Sequence, residues 1–258
     1  MFQTSVLASG SKGNCILIRS RNTALILDAG ISLKRVWAAL EDLDVPRHTI
    51  QAVIVSHEHS DHTRSAGAMA RSLKIPLFIS PDTYDYCAHR LGKVENWLRY
   101  FESGVEFLVG DILVRPFRSS HDAIDSNNFY FEHNDRRVGV AIDLGYPTKL
   151  TVRMLSQVHA LILESNHDPE MLRNGPYDPS LQQRVRSEHG HLSNAEAVGL
   201  ITQVLHPGLK NLVLAHLSET NNLPDLAFEV MNKYLQSIRS EVKLHVASQH
   251  AHTGLIDI

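Results

Sequence analysis

The chain has 258 residues, of which 43% are hydrophobic and 21% charged, and 25 basic against 28 acidic residues give a net charge of −3. This composition excludes a disordered chain, and the length predicts one continuous domain over residues 1–258. The apolar runs are far shorter than the ~20 residues of a transmembrane helix, so we expect no membrane segment.

The first eight residues lack the basic and apolar regions of a secretory signal, which predicts a cytoplasmic protein. We expect the two cysteines, Cys15 and Cys87, to remain reduced thiols. Histidine is frequent, at 16 residues, and imidazole is a common metal ligand that titrates near neutral pH. The composition therefore indicates metal or acid–base chemistry.

Hydrophobic periodicity divides the chain into a β-rich half and a half in which strands and helices alternate. Strands are predicted at residues 4–8, 15–19, 24–27, 52–55, 107–108, 112–117, 128–132, 138–142, 160–164, 212–215 and 243–247. Helices are predicted at residues 33–43, 63–73, 82–91, 180–188, 193–205 and 225–237. This order predicts an α/β fold with helices packed outside two stacked sheets.

The motif His57-x-His59-x-Asp61-His62 directly follows the predicted strand at residues 52–55. Side chains two residues apart in an extended loop point the same way, so His57 and His59 can bind one cation together. Asp61 and His62 lie at the turn into a helix, where adjacent side chains diverge and can reach a second cation. The motif therefore predicts a metal centre rather than a solvated loop.

Two metal ions need more than four ligands, and three further polar residues follow apolar strands. These residues are His121, Asp143 and His216. Ligands from separate strands can meet if the strand ends converge on one edge of the fold. We therefore predict that the three residues complete the site.

In this order, H-x-H-x-D-H and then His, Asp and His, the sequence resembles the metallo-β-lactamase fold superfamily, and Asp28 matches its first motif. The resemblance covers essentially the whole chain and implies a four-layer αββα sandwich. It implies two divalent metal ions bridged by Asp143, with Asp61 and Asp143 catalytic and Asp28 orienting a ligand. The two implied ligand groups are His57, His59 and His121, and Asp61, His62 and His216.

Residues 160–168 and 190–194 resemble segments of the nucleic-acid-processing branch of the superfamily. Together with residues 8–14 and 216–222, they resemble the bacterial YycJ/WalJ-type group. This resemblance implies 5′-to-3′ exonuclease activity on DNA. The residues expected to support the ligands or contact substrate are Ser9, Ser11, Asn14, Glu164, Ser193 and Asn194.

Phosphodiester cleavage requires a proton for the departing sugar oxygen, and a histidine can supply it at neutral pH. We predict that His191 does so, with His189 as the alternative. His191 could instead be only a helix-entry residue beside the cap Ser193. The roles of three other histidines stay open: His167, His250 and His252.

The predicted ligands are all imidazole or carboxylate, which suits Zn²⁺ best and also accepts Mn²⁺ or iron. The expected partner is DNA rather than RNA, and because the chain is slightly acidic its binding must rely on local Lys and Arg clusters. The loop at residues 9–14 is either a phosphate-binding loop or a packed turn. The alternative function is a metal-dependent hydrolase of RNA, a small phosphodiester, a thioester or a lactone. A regulatory protein with little turnover is disfavoured by the complete ligand set.

Overall fold

A computed structural model describes residues 1–258, and the backbone forms two seven-stranded sheets. The first sheet contains, in spatial order, β14 (Ile256–Asp257), β1 (Phe2–Ala8), β2 (Cys15–Ser20), β3 (Ala24–Leu27), β4 (Ile50–Ile54), β5 (Leu77–Ile79) and β6 (Leu98–Tyr100). The second contains β13 (Lys243–Val246), β12 (Asn211–Ala215), β11 (Ala160–Glu164), β10 (Arg136–Ala141), β9 (Asn127–His133), β8 (Ile112–Arg118) and β7 (Phe107–Val109).

Both sheets combine antiparallel and parallel pairs in the same way. In the first sheet β1, β2 and β3 pair antiparallel, and β3 to β6 pair parallel. In the second sheet β7 to β10 pair antiparallel, and β10 to β13 pair parallel. Because parallel neighbours end on the same side, each sheet has one edge at which several strand ends meet.

The helices lie outside the two sheets. They are α1 (Leu33–Asp42), α2 (Ser60–Thr63), α3 (Ala66–Leu73), α4 (Pro81–Leu91), α5 (Lys149–Leu155), α6 (Pro169–Asn174), α7 (Pro179–Val185), α8 (Asn194–Val204) and α9 (Pro224–Ser237). A short 3₁₀ turn covers Arg47–Thr49.

Side chains alternate along the central strands and fill three apolar cores. In β3, Leu25 packs against the second sheet, whereas Ile26 packs with residues of α1 and α3. In β11, Ile162 packs between the sheets, whereas Leu163 packs with residues of α8 and α9. These cores separate helices, sheet, sheet and helices, so the predicted αββα sandwich is confirmed.

The predicted strands and helices are present, with small shifts at their ends, but some details were wrong. The helix predicted at residues 63–73 is broken at Ser65, where the N–H donates to the carbonyl of Ala29 at 2.8 Å. The short strands β5, β6 and β14 and the helices α5 and α6 were not predicted from the sequence. The two helices begin at the N-cap residues Thr148 and Asp168, whose side chains accept hydrogen bonds from N–H groups of the first turn. Thr and Asp are common N-cap residues, so the sequence did contain a signal for these helix starts.

Two further predictions concern membrane segments and cysteines. None of the helices combines the length and apolar character that crossing a bilayer requires. Cys15 and Cys87 are buried free thiols, as predicted. Burial raises the pKa of Cys87 to about 11, so this thiol stays protonated at neutral pH.

Candidate metal centre

The predicted ligands lie together at the ends of strands from both sheets. His57 and His59 lie in the loop that follows β4, and Asp61 and His62 lie in α2. The other three predicted ligands follow the strands β8, β10 and β12. Three groups have donor atoms within 4.8 Å of one another: His57, His59 and His121; Asp61, His62 and His216; and His57, His62 and Asp143. The first two groups coincide with the predicted ligand groups. The third group places Asp143 beside one histidine from each of the two predicted ligand groups.

The motif loop packs against neighbouring backbone with no space for an additional side chain. The N–H of Asn14 donates to the carbonyl of Asp61 at 2.7 Å, and the N–H of Gly30 donates to the carbonyl of Asn14 at 2.8 Å. A Cβ at Gly30 would lie 1.6 Å from the Asp61 carbonyl oxygen. Glycine at position 30 therefore permits the close approach that holds Asp61 in place.

Three side chains of the centre come from left-handed backbone at a strand end. Asp28, Asp143 and His216 have φ angles of 58°, 53° and 54°. Side-chain-bearing residues rarely adopt this conformation, although Asp and His tolerate it better than most. Such backbone strain concentrates at functional sites, and here the same sharp turn ends three different strands.

Asp28 holds His62 in the orientation of a metal ligand. One oxygen of Asp28 accepts from the N–H of Ser56 at 2.8 Å, and the other accepts from the Ser56 hydroxyl at 2.9 Å. The Nδ1 of His62 lies 2.7 Å from the second oxygen. A carboxylate only accepts, so Nδ1 carries the proton and Nε2 presents its lone pair to the centre.

Glu164 plays the corresponding part in the second half of the chain. Its Oε1 accepts from Nδ1 of both His191 and His216, each at 2.8 Å. Its Oε2 accepts from the N–H groups of Leu144 and Leu192, at 3.0 Å and 3.1 Å. Glu164 thus ties three chain segments together, and it also belongs to a fourth donor group with Asp143, His191 and His216.

The unpaired polar atoms of the centre fit bound metal ions. His121 Nε2, Asp143 Oδ2 and His216 Nε2 are buried and have no hydrogen-bond partner. Asp143 Oδ2 does lie 2.9 Å from His62 Nε2, but without hydrogen-bond geometry, as expected of two ligands directed at one cation. An unpaired buried polar atom costs about 1–3 kcal/mol, and a cation would satisfy all of these lone pairs together.

The pKa shifts of the centre differ among its histidines. Burial opposes protonation of His62 and His216, but nearby carboxylates outweigh it and raise both pKa values, so these two imidazoles release a proton when they bind a cation. Burial lowers the pKa of His57 and of His121, which keeps these imidazoles in the neutral, ligating form. Burial alone would raise the pKa of Asp143, but the surrounding His216 and His62 outweigh it and hold that pKa well below its usual range. Burial also opposes ionisation of Glu164, yet the two histidines that it binds lower its pKa to about 2.

A cavity of about 210 Å³ opens from the centre to solvent. Ser11, His189 and Arg184 line it together with the donor side chains. His191 lines the same cavity, and its side chain is 21% exposed. A substrate can therefore reach the centre and His191 from one side.

Comparison with known proteins places this centre in a family. The sequence profile of the Metallo-beta-lactamase superfamily matches residues 8–153, more than half of the chain. This chain belongs to the metallo-beta-lactamase superfamily. It is 34% identical to the exodeoxyribonuclease YycJ of Bacillus anthracis, over 90% of this chain and 88% of YycJ. It is 32% identical to the exodeoxyribonuclease WalJ of Streptococcus pneumoniae D39, over 100% of this chain and 98% of WalJ.

Solved structures support the superfamily fold. The metallo-beta-lactamase fold protein YhfI from Bacillus subtilis superimposes with a TM-score of 0.73, covering 98% of this chain and 99% of YhfI. The two chains are 16% identical, so this likeness concerns the fold alone. Metallo-beta-lactamase folds imply divalent metal ions, which agrees with the His and Asp cluster described above.

The loop at residues 9–14 of this superfamily member is a packed turn. Most of its N–H groups are already bonded within the protein: those of Ser9, Gly10, Lys12, Gly13 and Asn14. The hydroxyl of Ser9 accepts from the N–H of His216 at 2.8 Å, and the amide of Asn14 donates to Asp61 at 3.3 Å. The loop supports two donor residues and leaves little backbone free for a phosphate.

Ser193 and Asn194 lie beneath the centre and are occupied by structural contacts. Ser193 and Glu196 form a capping box at the start of α8. Asn194 is buried and exchanges hydrogen bonds with Asn222, while it accepts from the Ser165 hydroxyl at 2.6 Å. These contacts position the start of α8 behind the His191 loop.

The three histidines of open role lie in different surroundings. His167 is buried, and its carbonyl accepts from the N–H of Asn194. His250 is exposed and pairs with Glu219 at 3.0 Å, and Lys12 pairs with the same carboxylate at 2.7 Å. The Nε2 of His252 lies 3.9 Å from the carboxylate of Asp42 on α1. None of the three belongs to a group of potential metal donors.

Proposed function

We propose that the chain is a metal-dependent exodeoxyribonuclease that acts as a single domain over residues 1–258 and removes nucleotides from the 5′ end of DNA. The observation that carries this proposal is the 34% identity to the exodeoxyribonuclease YycJ over 90% of the chain. The metal dependence is supported by the donor side chains that both halves of the chain bring together at the strand ends of the two sheets.

The proposed ligands would hold two divalent cations. His57, His59 and His121 would hold one, Asp61, His62 and His216 would hold the other, and Asp143, which lies beside both groups, would be shared between them. A purely imidazole and carboxylate set suits Zn²⁺, and it also accepts Mn²⁺ or iron. When bound, such ions activate a water molecule as a nucleophile and neutralise the oxygens of the phosphodiester.

His191 is the proposed donor of a proton to the departing sugar oxygen. Its Nδ1 is bonded to Glu164, which leaves Nε2 as the atom that exchanges a proton. Its ring centroid lies 5.1 Å from that of His121 and 5.1 Å from that of His216. A histidine that is fixed by a carboxylate beside the reacting centre suits general acid catalysis at neutral pH.

Labelled oligonucleotides test the proposed substrate and polarity. Single- and double-stranded DNA, labelled at either the 5′ or the 3′ end, are incubated with the protein and Zn²⁺ or Mn²⁺. We expect the 5′ label to leave as a mononucleotide in the first turnover, while the 3′ label stays on fragments of decreasing length. RNA of the same sequence and a thioester serve as comparison substrates. Rapid thioester hydrolysis with untouched DNA would overturn the proposal.

Two variants of the same loop test the proposed acid. His191→Ala should lower kcat on DNA by about 10²- to 10⁴-fold while the bound metal, measured by elemental analysis, stays unchanged. His189→Ala is the matched control, because His189 lines the same cavity but makes no contact with Glu164. Loss of activity in His189→Ala, with normal activity in His191→Ala, would move the acid role to His189.

A further inference from the structure

A second cavity adjoins the metal centre and is not explained by the centre itself. It has a volume of about 540 Å³ and shares His59, Asp61, Asp122 and Arg184 with the cavity described above. Its remaining walls come from the motif loop, from α4 and from residues 123–124. The size falls within the ~300–1,000 Å³ of ordinary small-molecule sites.

Glu58, the residue between two proposed ligands, attaches both walls of this cavity to the motif loop. Its carbonyl accepts from the guanidinium of Arg90 on α4 at 2.7 Å. Its carboxylate accepts from the N–H of Ile124 on the opposite wall at 3.0 Å. Glu58 is only 4% exposed, so these bonds are shielded from water. The walls therefore have a fixed position relative to the metal centre.

Two large, mainly apolar side chains of the cavity wall are exposed to solvent and do not belong to the buried cores. Tyr86 is 57% exposed and Ile124 is 53% exposed. The side chain of Tyr86 makes no hydrogen bond and stacks on no other ring, whereas the neighbouring Tyr84 contacts Tyr100. Tyr86 lies one helical turn before Arg90, so the two side chains share the face of α4 that borders the cavity.

Apart from Asp61, the cavity is lined by two arginines and two carboxylates, Glu58 and Asp122, so its formal charges balance. Arg184 pairs with Asp122 at 2.9 Å, whereas Arg90 donates to the backbone carbonyl of Glu58 and forms no ion pair with its carboxylate. Asp61 belongs to the metal centre. A cavity with balanced charge, an exposed aromatic ring and an exposed aliphatic side chain suits a neutral flat ring better than a free phosphate. Aromatic side chains that stack on bases are a general device for binding single-stranded nucleic acids.

We propose that this cavity binds one nucleobase of the DNA strand beside the scissile phosphate, stacked on Tyr86 and in contact with Ile124. Tyr86 is then a positioning residue that sets the register of the strand in the metal centre. This proposal rests on the proposed nuclease function and adds the place and the side chain at which the strand is held.

Kinetics of three Tyr variants test the proposal. Tyr86→Ala should raise KM for single-stranded DNA about fivefold or more, with kcat nearly unchanged, because stacking is worth about 5- to 150-fold in affinity. Tyr86→Phe should retain the normal KM, because its ring can still stack. Tyr100→Ala is the matched control, since Tyr100 is a similarly exposed tyrosine on β6 that lines neither cavity.

Substrates that lack one base provide the decisive measurement. With the unmodified protein, an abasic nucleotide at one position near the 5′ end should raise KM by the same factor as Tyr86→Ala. That substrate and Tyr86→Ala should show no additive effect, because each removes one partner of the same contact. The proposal is wrong if no abasic position raises KM for the unmodified protein, or if the effects of the abasic substrate and of Tyr86→Ala add fully. The first of these measurements does not depend on whether the variant folds. Absence of any DNA cleavage by the unmodified protein would instead refute the nuclease function.

Discussion

The first sheet contributes four of the proposed ligands from one six-residue stretch after β4, whereas the second contributes three that follow three separate strands. Each half also supplies a carboxylate that holds a histidine by its Nδ1. Asp28 does so for His62 in the first half, and Glu164 does so for His191 and His216 in the second.

This difference separates local from distributed construction. Residues of one short loop are close together whatever the rest of the chain does, so the first half can present donors at little cost in chain entropy. His121, Asp143 and His216 meet only because β8, β10 and β12 belong to one sheet that stacks on the first. The second half therefore determines whether the centre is complete.

The largest expected effect tests whether one residue of the second half joins the two ligand groups. Asp143 lies 2.9 Å from His62 Nε2 and 3.7 Å from His121 Nε2, one member of each group. Asp143→Ala should lower kcat by about 10³-fold or more and release up to both metal equivalents. Asp61→Ala should release only one equivalent, because the histidines that lie within 4 Å of the Asp61 carboxylate, His62 and His216, both belong to its own ligand group. Equal metal loss in the two variants, measured by elemental analysis, would contradict the bridge.

A pair of glycine variants tests the tight packing of the first half. Gly30→Ala forces a Cβ to within 1.6 Å of the Asp61 carbonyl oxygen and should destabilise the protein by about 3 kcal/mol or more. Gly199→Ala in α8 meets no atom within 4 Å and should stabilise the protein by about 0.5–1 kcal/mol. Urea unfolding of both variants checks the opposite signs. If Gly30→Ala left the free energy of unfolding unchanged, the motif loop would be able to shift to accommodate the added Cβ.

The two supporting carboxylates can be compared directly. Glu164→Gln and Asp28→Asn each replace an acceptor of a histidine Nδ1–H by an amide of the same shape, and each should lower activity about 10- to 100-fold. Glu164→Gln should have the larger effect, since Glu164 holds two histidines and two backbone N–H groups. Steady-state kinetics at saturating metal measures both. A larger loss of activity in Asp28→Asn than in Glu164→Gln would contradict this prediction.

The smallest expected effect concerns the outer strands of the sheets. Burial, with Lys243 nearby, lowers the pKa of His245 on β13, whereas the corresponding strand β6 contains no histidine. The unfolded chain binds this proton more readily, so the small contribution of His245 to stability, measured as the difference between the unmodified protein and His245→Gln, should rise as pH increases to about 6.5 and then level off. Urea unfolding of both proteins in the presence of a chelator, at pH 5.5 and 7.5, measures this rise. An equal difference at the two pH values would exclude His245 as its source.

Much of the fold was predictable because it depends on local patterns. Short continuous apolar runs located β3 and β11 with their observed ends, and the cap Ser32 located the start of α1. The break at Ser65 was not predictable, because it follows from a hydrogen bond to Ala29 on another loop. The strand β14 is only two residues long and exists because it pairs with β1.

The candidate site divides in the same way. The sequence alone determined the local motif from His57 to His62, because its donors are neighbours in the chain. Only the tertiary structure decided that Glu164 joins His191 to His216, and that Glu58 connects the motif loop to the walls of a second cavity. Such contacts join residues that are distant in sequence, and no local pattern records which distant groups a buried carboxylate will meet.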